Sequence, residues 1–461
     1  MFTQDDKKRI SGLLKKYGIK GKGEVFNRID HGATPEEIEA FLQLLINNNA
    51  ASQKPKITFR EQSLDYKVFG QHLIARNALD DMSAIMRLPY VIGGSLMPDG
   101  HRVQENHVPV GGVVLSDAIV PGFVGSDIAC SVLLTITNQS IEEDWIQHAI
   151  PSIKYVLRNH AYFGQEMNPE PIVFKQPFYL EPLIMETDLG SEVFENIKKF
   201  ARNHFGTSGD GNHFVEVGTV NIQSNVGAFY SSGKKRYLAL LSHFGSRAVG
   251  STIAGAFQSE ALGLYDMPKG MTDAPLDPAT PSGRDYWKLM NWAGEFAEAG
   301  HRWLHNHLLT RLGDRVTLSY ANSHAIYSKH NFAWLTDRGY VHRKGATPAE
   351  YGQHGVIPAT MGDKTQVVIG LGNADSLYSA SHGAGRRYSR GTAIQQFGKI
   401  NTANFLLKEY GVELLGGGPD EDPRAYKDIK EVIAAQKECL TLIGSFEPIV
   451  VRMADPRFLW H

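Results

Sequence analysis

Asp127 and Cys130 stand three residues apart in the segment GSDIAC, and a carboxylate and a thiolate carried on one turn can bind the same cation. A buried cysteine is more often an inert small hydrophobe, so the neighbouring carboxylate is what gives Cys130 a chemical reading. Histidines recur beside glycines or at the ends of apolar runs: His213 in GDGNHFVE, His243 in SHFGSR and His330 in KHNFAW. Brought together by a fold, one Asp, one Cys and three His make a mixed hard and soft ligand set suited to Mn²⁺, Zn²⁺ or Fe²⁺. Asp99 and His101 in MPDGH are a further pair of the same chemical type.

Residues 206–216, GTSGDGNHFVE, are the densest chemical stretch of the chain. Gly206, Gly209 and Gly211 permit positive φ and close approach of backbone, so this loop can turn N–H groups toward an anion. Asn212 and Glu216 flank His213 with groups able to grip a base or a ribose. A glycine-rich loop alone often marks only a tight turn, and the attached N-H-x-x-E makes a ligand site the better reading. His382 is followed by Gly383, Ala384 and Gly385 and then by Arg386, Arg387 and Arg390. A neutral imidazole is a competent nucleophile toward phosphorus, glycines admit a phosphate to backbone N–H groups, and arginines offset its charge. The competing reading is a glycine turn with a solvated basic face. Residues 341–347, VHRKGAT, read as a second basic, glycine-containing loop.

His301 and His305 share a helix face at i, i+4, as in zinc-binding helices, but Arg302 stands where such helices carry a glutamate. A packed or solvated helix face accounts for this pair more simply. His107, His204 and His354 read as ordinary loop histidines.

Groups scattered from residue 99 to residue 382 require a large scaffold to assemble them, and 461 residues are enough for one large α/β or α+β domain or for several average ones. Residues 1–50 read as two or three small helices. Thr34-Pro35-Glu36-Glu37 supplies a capping box, with Ile38, Phe41, Leu42 and Leu45 following at helical spacing. From residue 56 short β-like runs begin, at 56–59, 109–115 and 237–242, broken by glycine-rich turns. Residues 285–312 read as one long helix with Leu289, Trp292, Phe296, Trp303 and Leu308 on a face and Gly313 as its terminator. The last sixty residues read as a helix over 425–442 and a strand over 448–451. No charge-rich linker divides these parts, so the expected organisation is an α+β fold: a helical extension, 1–55, and one interlocked catalytic domain, 56–461.

The formal net charge of −2 excludes a global positive field, so any polyanion site must be a local patch. Two cysteines among 461 residues argue against a disulfide framework and suit a reducing, cytoplasmic setting. The N-terminus, MFTQDDKKRI, lacks an apolar signal core. The most apolar long stretch, 108–137, is broken by Asp117, Asp127 and glycines, so no membrane segment is expected.

In this order, DIAC, GTSGDGNHFVE, HFGSR, KHNFAW, VHRKGAT and SHGAGR resemble the RtcB-type RNA ligase family, over about residues 97–452. The resemblance implies a Mn²⁺-dependent, GTP-consuming enzyme that joins an RNA 3′-phosphate or 2′,3′-cyclic phosphate end to a 5′-hydroxyl end, in RNA repair or tRNA splicing. It implies Asp127, Cys130, His213, His243 and His330 as ligands of two Mn²⁺ ions, with Cys130 bridging, and His382 as the histidine that becomes guanylated. Asn212, Glu216, His330, Asn331, Pro358, Ala359, Thr360, Met361, Thr365, His382, Gly383, Ala384, Gly385 and Tyr426 are similar to the family's guanylate-binding positions. An archease-like activator is an implied partner. This chain departs from the family's pattern at residues 102–107, RVQENH, where a glycine pair is usual, and at Ser131, where glycine is usual. It departs again at Thr365 for serine, and at Met453 for a lysine that contacts guanine, which marks a divergent member. The alternatives are a metal-dependent RNA-end phosphoesterase and a non-catalytic RNA-end binding protein.

Overall fold

Strand register sets this site, and the register is visible in a computed structural model that describes residues 2–16, 22–52, 54–164, 167–169, 183–222, 236–321 and 323–455. The chain divides into two compact units, Met1–Ile57 with Leu264–Asp266, and the remainder.

In the first unit the helices Gln4–Lys16, Lys22–Asp30 and Pro35–Ser52 bury Ile10, Leu14, Val25, Ile29, Ile38 and Leu42 against one another. The third helix begins on the expected box: Thr34 N–H donates to Glu37 Oε2 at 2.8 Å and Glu37 N–H to Thr34 Oγ1 at 3.2 Å. Residues 56–59, expected as strand, form only an isolated bridge between Lys56 and Asp266.

The second unit is built on an eight-stranded sheet. Its path runs His354–Ile357, Thr365–Gly370, Leu440–Met453, Phe214–Ile222, Arg236–Phe244, Ser131–Ile141, His324–Lys329, every neighbour antiparallel, with Glu413–Leu415 parallel to Leu440–Met453 off the path. The first and last strands of the path touch, so the sheet curls toward a barrel. Alternation at period two divides its side chains. Val132, Leu134, Val220, Ala239, Leu241, Ile326, Val356, Val367 and Phe446 fill one core, while Val215, Val217, Leu238 and Leu240 pack outward against two helices, Glu143–His160 and Pro281–Gly313.

The long helix starts earlier than its apolar period suggests. Thr280 Oγ1 accepts from Gly283 N–H and Pro281 occupies the first turn, whereas Gly313 is the last helical residue and Asp314 caps it. The expected helix over 425–442 is replaced by a short turn, Pro423–Ala425, the six-residue helix Ile429–Ala434, and the long strand Leu440–Met453. Pairing with Thr365–Gly370 on one side and Phe214–Ile222 on the other overrides any local helical preference there.

A five-stranded sheet, in the order Lys67–Val68, Val91–His101, Val110–Ser116, Gly339–Lys344, Asn331–Thr336, lies in the same unit. His330 alone separates His324–Lys329 of the large sheet from Asn331–Thr336 of this one. The VHRKGAT segment is not a basic loop. It comprises the ends of two strands joined at Gly345, whose φ is 62°, and Arg343 is buried, donating to Ser379 Oγ and to the carbonyls of Leu377 and Tyr378.

Candidate active site

Four neighbouring strands end at one place. Phe214 is the cross-strand partner of His243, Ser131 of Phe244, and Ser131 again of Lys329, so His213, His243, Cys130 and His330 converge at that end of the sheet. Asp127 joins them through a turn in which Ala129 takes a φ of 60°. Asn331 fastens this turn: its amide donates to Asp127 O at 3.1 Å and accepts from Gly345 N–H at 2.8 Å, and Ala129 N–H donates to Asn331 O at 2.8 Å.

The ligand atoms form two groups that share one sulfur, Cys130–His243–His330 and Asp127–Cys130–His213, each with its atoms within 4.8 Å of one another. Cys130 Sγ lies 3.2 Å from His243 Nε2 and 3.4 Å from His213 Nε2, while His213 Nε2 lies 3.1 Å from Asp127 Oδ2. His243 Nε2 and His330 Nε2 face each other at 3.1 Å. At most one nitrogen of that pair can donate to the other, so the lone pairs converge on space that suits a cation better than a proton. Burial holds the imidazoles of His243 and His330 well below their ordinary range, reinforced by the neighbouring histidines, and both are therefore neutral, the form in which an imidazole can bind a metal. Burial also pushes the Cys130 thiol well up, and the charge of Asp127 adds to this. Burial raises the Asp127 carboxyl, but the hydrogen bond and charge of His213 outweigh it and leave that group below its ordinary value. Two glycines make the room: a Cβ at Gly245 would sit 2.2 Å from Asp127 Oδ1, and one at Gly209 2.1 Å from His213 Nδ1. The donor set fits two divalent cations bridged by a thiolate.

His382 stands beside this cluster, its ring centroid 4.8 Å from that of His330. Asp99, fully buried, accepts from both the backbone N–H of His382 at 3.1 Å and its ring Nδ1 at 2.8 Å. A carboxylate only accepts, so Nδ1 carries the hydrogen, and in the neutral imidazole Nε2 presents a lone pair. Lys427 Nζ holds the Asp99 segment by donating to Pro98 O at 3.0 Å and Gly100 O at 2.8 Å, and burial lowers this ammonium to about 8. Gly385, at φ 73°, lies so close that a Cβ there would be 2.3 Å from Asp99 O.

A cleft of about 510 Å³ opens on His382 and the cluster. Asn212, Glu216, His330, Asn331, Pro358, Ala359, Thr360, Met361, Thr365, Gly383, Ala384, Gly385 and Tyr426 line it together with Asp127, Cys130 and His243. Phe214 and Met453, cross-strand partners, contribute apolar wall beside Glu216, whose buried carboxyl is pushed well above the carboxylate range. Arg386 and Arg390, read from sequence as phosphate partners, are already paired. Arg386 donates to Glu421 at 3.2 Å and Tyr426 Oη at 3.1 Å, and Arg390 bonds Glu421 and, at 2.8 Å, Asp420. Tyr426 Oη also bonds Glu421, and the Arg386 guanidinium lies 5.0 Å from the Tyr426 ring centroid.

Glu421 and the role of Asp99 are what sequence reasoning missed. Asp99 was visible as a carboxylate in MPDGH, but nothing local links it to His382. Glu421, in PDED, carried no signal at all. His301 and His305 are buried in the long helix and belong to neither ligand group. His107 is held by Asp273 Oδ1 at 2.9 Å and Thr272 Oγ1 at 3.0 Å, away from the cleft lining. No helix among the described residues is long and apolar enough to cross a membrane.

Residues 181–453 match the family described as "tRNA-splicing ligase RtcB". The chain is similar to the RNA-splicing ligase RtcB of Escherichia coli strain K12, 28% identical over 391 residues that cover 79% of this chain and 91% of that protein. It is similar also to the tRNA-splicing ligases RtcB of Nanoarchaeum equitans, at 27% identity over 77% of this chain and 87% of that protein, and of Pyrobaculum aerophilum, at 25% over 81% and 91%.

Proposed function

The chain belongs to the RtcB family, and on that premise we propose that it is an RNA ligase joining a 3′-phosphate or 2′,3′-cyclic phosphate end to a 5′-hydroxyl end, with GTP as co-substrate and two Mn²⁺ ions. The observation that carries this reading is the Asp99–His382 pair: a fixed tautomer that leaves Nε2 as a nucleophile in the wall shared by the cleft and the ligand cluster.

His382 Nε2 attacks the α-phosphorus of GTP, a P–N bond forms and pyrophosphate leaves. Asp99 keeps the Nδ1 hydrogen and offsets the positive charge that develops on the ring. An oxygen of the RNA 3′-phosphate then attacks the same phosphorus, breaks the P–N bond and returns the imidazole to its starting state. The 5′-hydroxyl finally attacks the activated 3′-phosphorus, and GMP departs as the phosphodiester closes. A cyclic end is first hydrolysed to the 3′-phosphate. Asp127, Cys130, His213, His243 and His330 would hold the Mn²⁺ ions, which supply charge to phosphate oxygens and favour in-line geometry. Asn212, Glu216, Thr365 and Tyr426 would hold the guanylate, and Gly383 and Gly385 bring backbone close to its phosphate.

RNA bearing a 2′,3′-cyclic phosphate, offered with a 5′-hydroxyl partner, is expected to be joined when GTP and Mn²⁺ are both supplied and not when either is left out. Ring opening without any joined product in the complete mixture would instead identify a phosphoesterase.

A further inference from the structure

His301 and His305 are buried, and every ring nitrogen they carry is engaged in one hydrogen-bonded chain. Because a carbonyl only accepts, its direction is determined link by link. His301 Nε2 lies 3.1 Å from Phe244 O, so it bears the hydrogen, which it shares with Ser131 Oγ at 3.2 Å. His301 Nδ1 is then a lone pair and accepts from Ser242 Oγ at 2.7 Å. With its hydrogen committed there, Ser242 Oγ accepts from His305 Nε2 at 2.7 Å, and His305 Nδ1 accepts from Thr135 Oγ1 at 2.7 Å. Ser131 Oγ also accepts from Tyr327 Oη at 3.0 Å and donates to Ala129 O at 3.0 Å. Each imidazole thus uses one donor and one acceptor, and neither has a nitrogen left for a metal.

The residues this chain grips adjoin the ligands. Ser131 follows Cys130, Ser242 and Phe244 flank His243, and Ser131 and Phe244 are cross-strand partners. The His301 ring lies flat on Phe244, with centroids 3.5 Å apart and planes within 12°. We propose that His301 and His305 are positioning residues: through Ser242, Ser131 and Phe244 they brace the two strands against the long helix and so set the spacing of Cys130 Sγ and His243 Nε2. This rests on the reading of Cys130 and His243 as metal ligands. A buried network with every donor and acceptor used has one arrangement, and so transmits a fixed geometry where apolar packing would tolerate slippage.

Co²⁺ titration of the full chain tests this, since a thiolate-to-Co²⁺ charge-transfer band reports the Cys130 bond directly. Ser242→Ala removes the central link and a single oxygen; His301→Phe keeps the stack on Phe244 and removes both nitrogens; His301→Gln retains one donor and one acceptor. Ser242→Ala and His301→Phe should shift the band and weaken Co²⁺ binding about 10- to 100-fold, and His301→Gln should recover most of both. Leu304→Ala, a buried apolar truncation in the same helix, should lower the melting temperature and leave the band where it was. An unchanged band and affinity in Ser242→Ala, or an equal shift in Leu304→Ala, would overturn the proposal while leaving the metal reading in place. Wild-type protein that takes up no Co²⁺ would overturn the metal reading and this inference with it.

Discussion

Asp99 Oδ2 receives the ring Nδ1–H and the backbone N–H of His382 at 2.8 and 3.1 Å, across 283 residues of sequence. Its carboxylate therefore selects the tautomer as well as the orientation of the ring. Asp99→Asn is expected to slow nucleotide transfer to the protein about 10²- to 10⁴-fold, with Mn²⁺ binding unchanged. Intact-mass spectrometry over time reads the rate, and a wild-type rate would remove Asp99 from the mechanism.

Incubation with GTP and Mn²⁺ in the absence of RNA should add one guanylate to the protein mass, because attack on the α-phosphorus needs no RNA. The adduct should be labile to acid, stable to alkali, and located in the peptide containing SHGAGR. His382→Ala should keep its metal and form no adduct. Joined RNA from that variant would show that the nucleotide is carried elsewhere.

Burial and the Asp127 charge keep the Cys130 thiol protonated at neutral pH, whereas burial already holds His243 and His330 neutral. Ligation requires the thiolate, so metal uptake should expel one proton from Cys130 and none from His243 or His330. Affinity should then rise with pH, about tenfold per unit between roughly pH 6 and 8. Calorimetry in two buffers of different ionisation enthalpy counts the proton. Cys130→Ala should abolish the dependence along with most of the binding, and metal uptake with no proton released would contradict a thiolate ligand.

Gly245 leaves room for one carboxylate oxygen, since a Cβ there would stand 2.2 Å from Asp127 Oδ1. Gly245→Ala should displace Asp127 and weaken the Asp127–Cys130–His213 group about 10- to 100-fold while the Cys130–His243–His330 group persists. Metal analysis after dialysis should therefore move from two ions per chain toward one. Retention of both would mean that Asp127 is not a ligand.

Met453 and Glu216 share the cleft wall, and burial keeps the Glu216 carboxyl protonated. A neutral carboxyl offers one donor and one acceptor and can pair with the edge of either purine, so ATP should label the protein measurably alongside GTP. Met453→Lys supplies a cation that favours the carboxylate, an acceptor pair suited to guanine. The GTP:ATP labelling ratio should then rise by about tenfold or more. Equal ratios in both proteins would show that base selection lies elsewhere in the cleft.

Chemistry carried by residue type and close spacing was legible in the sequence. The D-x-x-C pair, the glycine loop running into Asn212 and His213, His382 with its glycines, and the Thr34–Glu37 capping box all depend on neighbours within a few positions. Short β-like runs broken by glycine-rich turns, with one long helix, likewise announced an α+β fold. Tertiary structure alone decided which distant groups meet. Register places Phe214 opposite His243 and Ser131 opposite Phe244, and a slip of one residue would turn each candidate ligand to the other face. The same long-range pairing made a strand of Leu440–Met453 where a helix was expected, drew Arg343 into the interior, and filled every nitrogen of His301 and His305. Local sequence fixes what a side chain can do, but hydrogen bonds and burial between segments hundreds of residues apart depend on how the strands align, and no local pattern records that alignment.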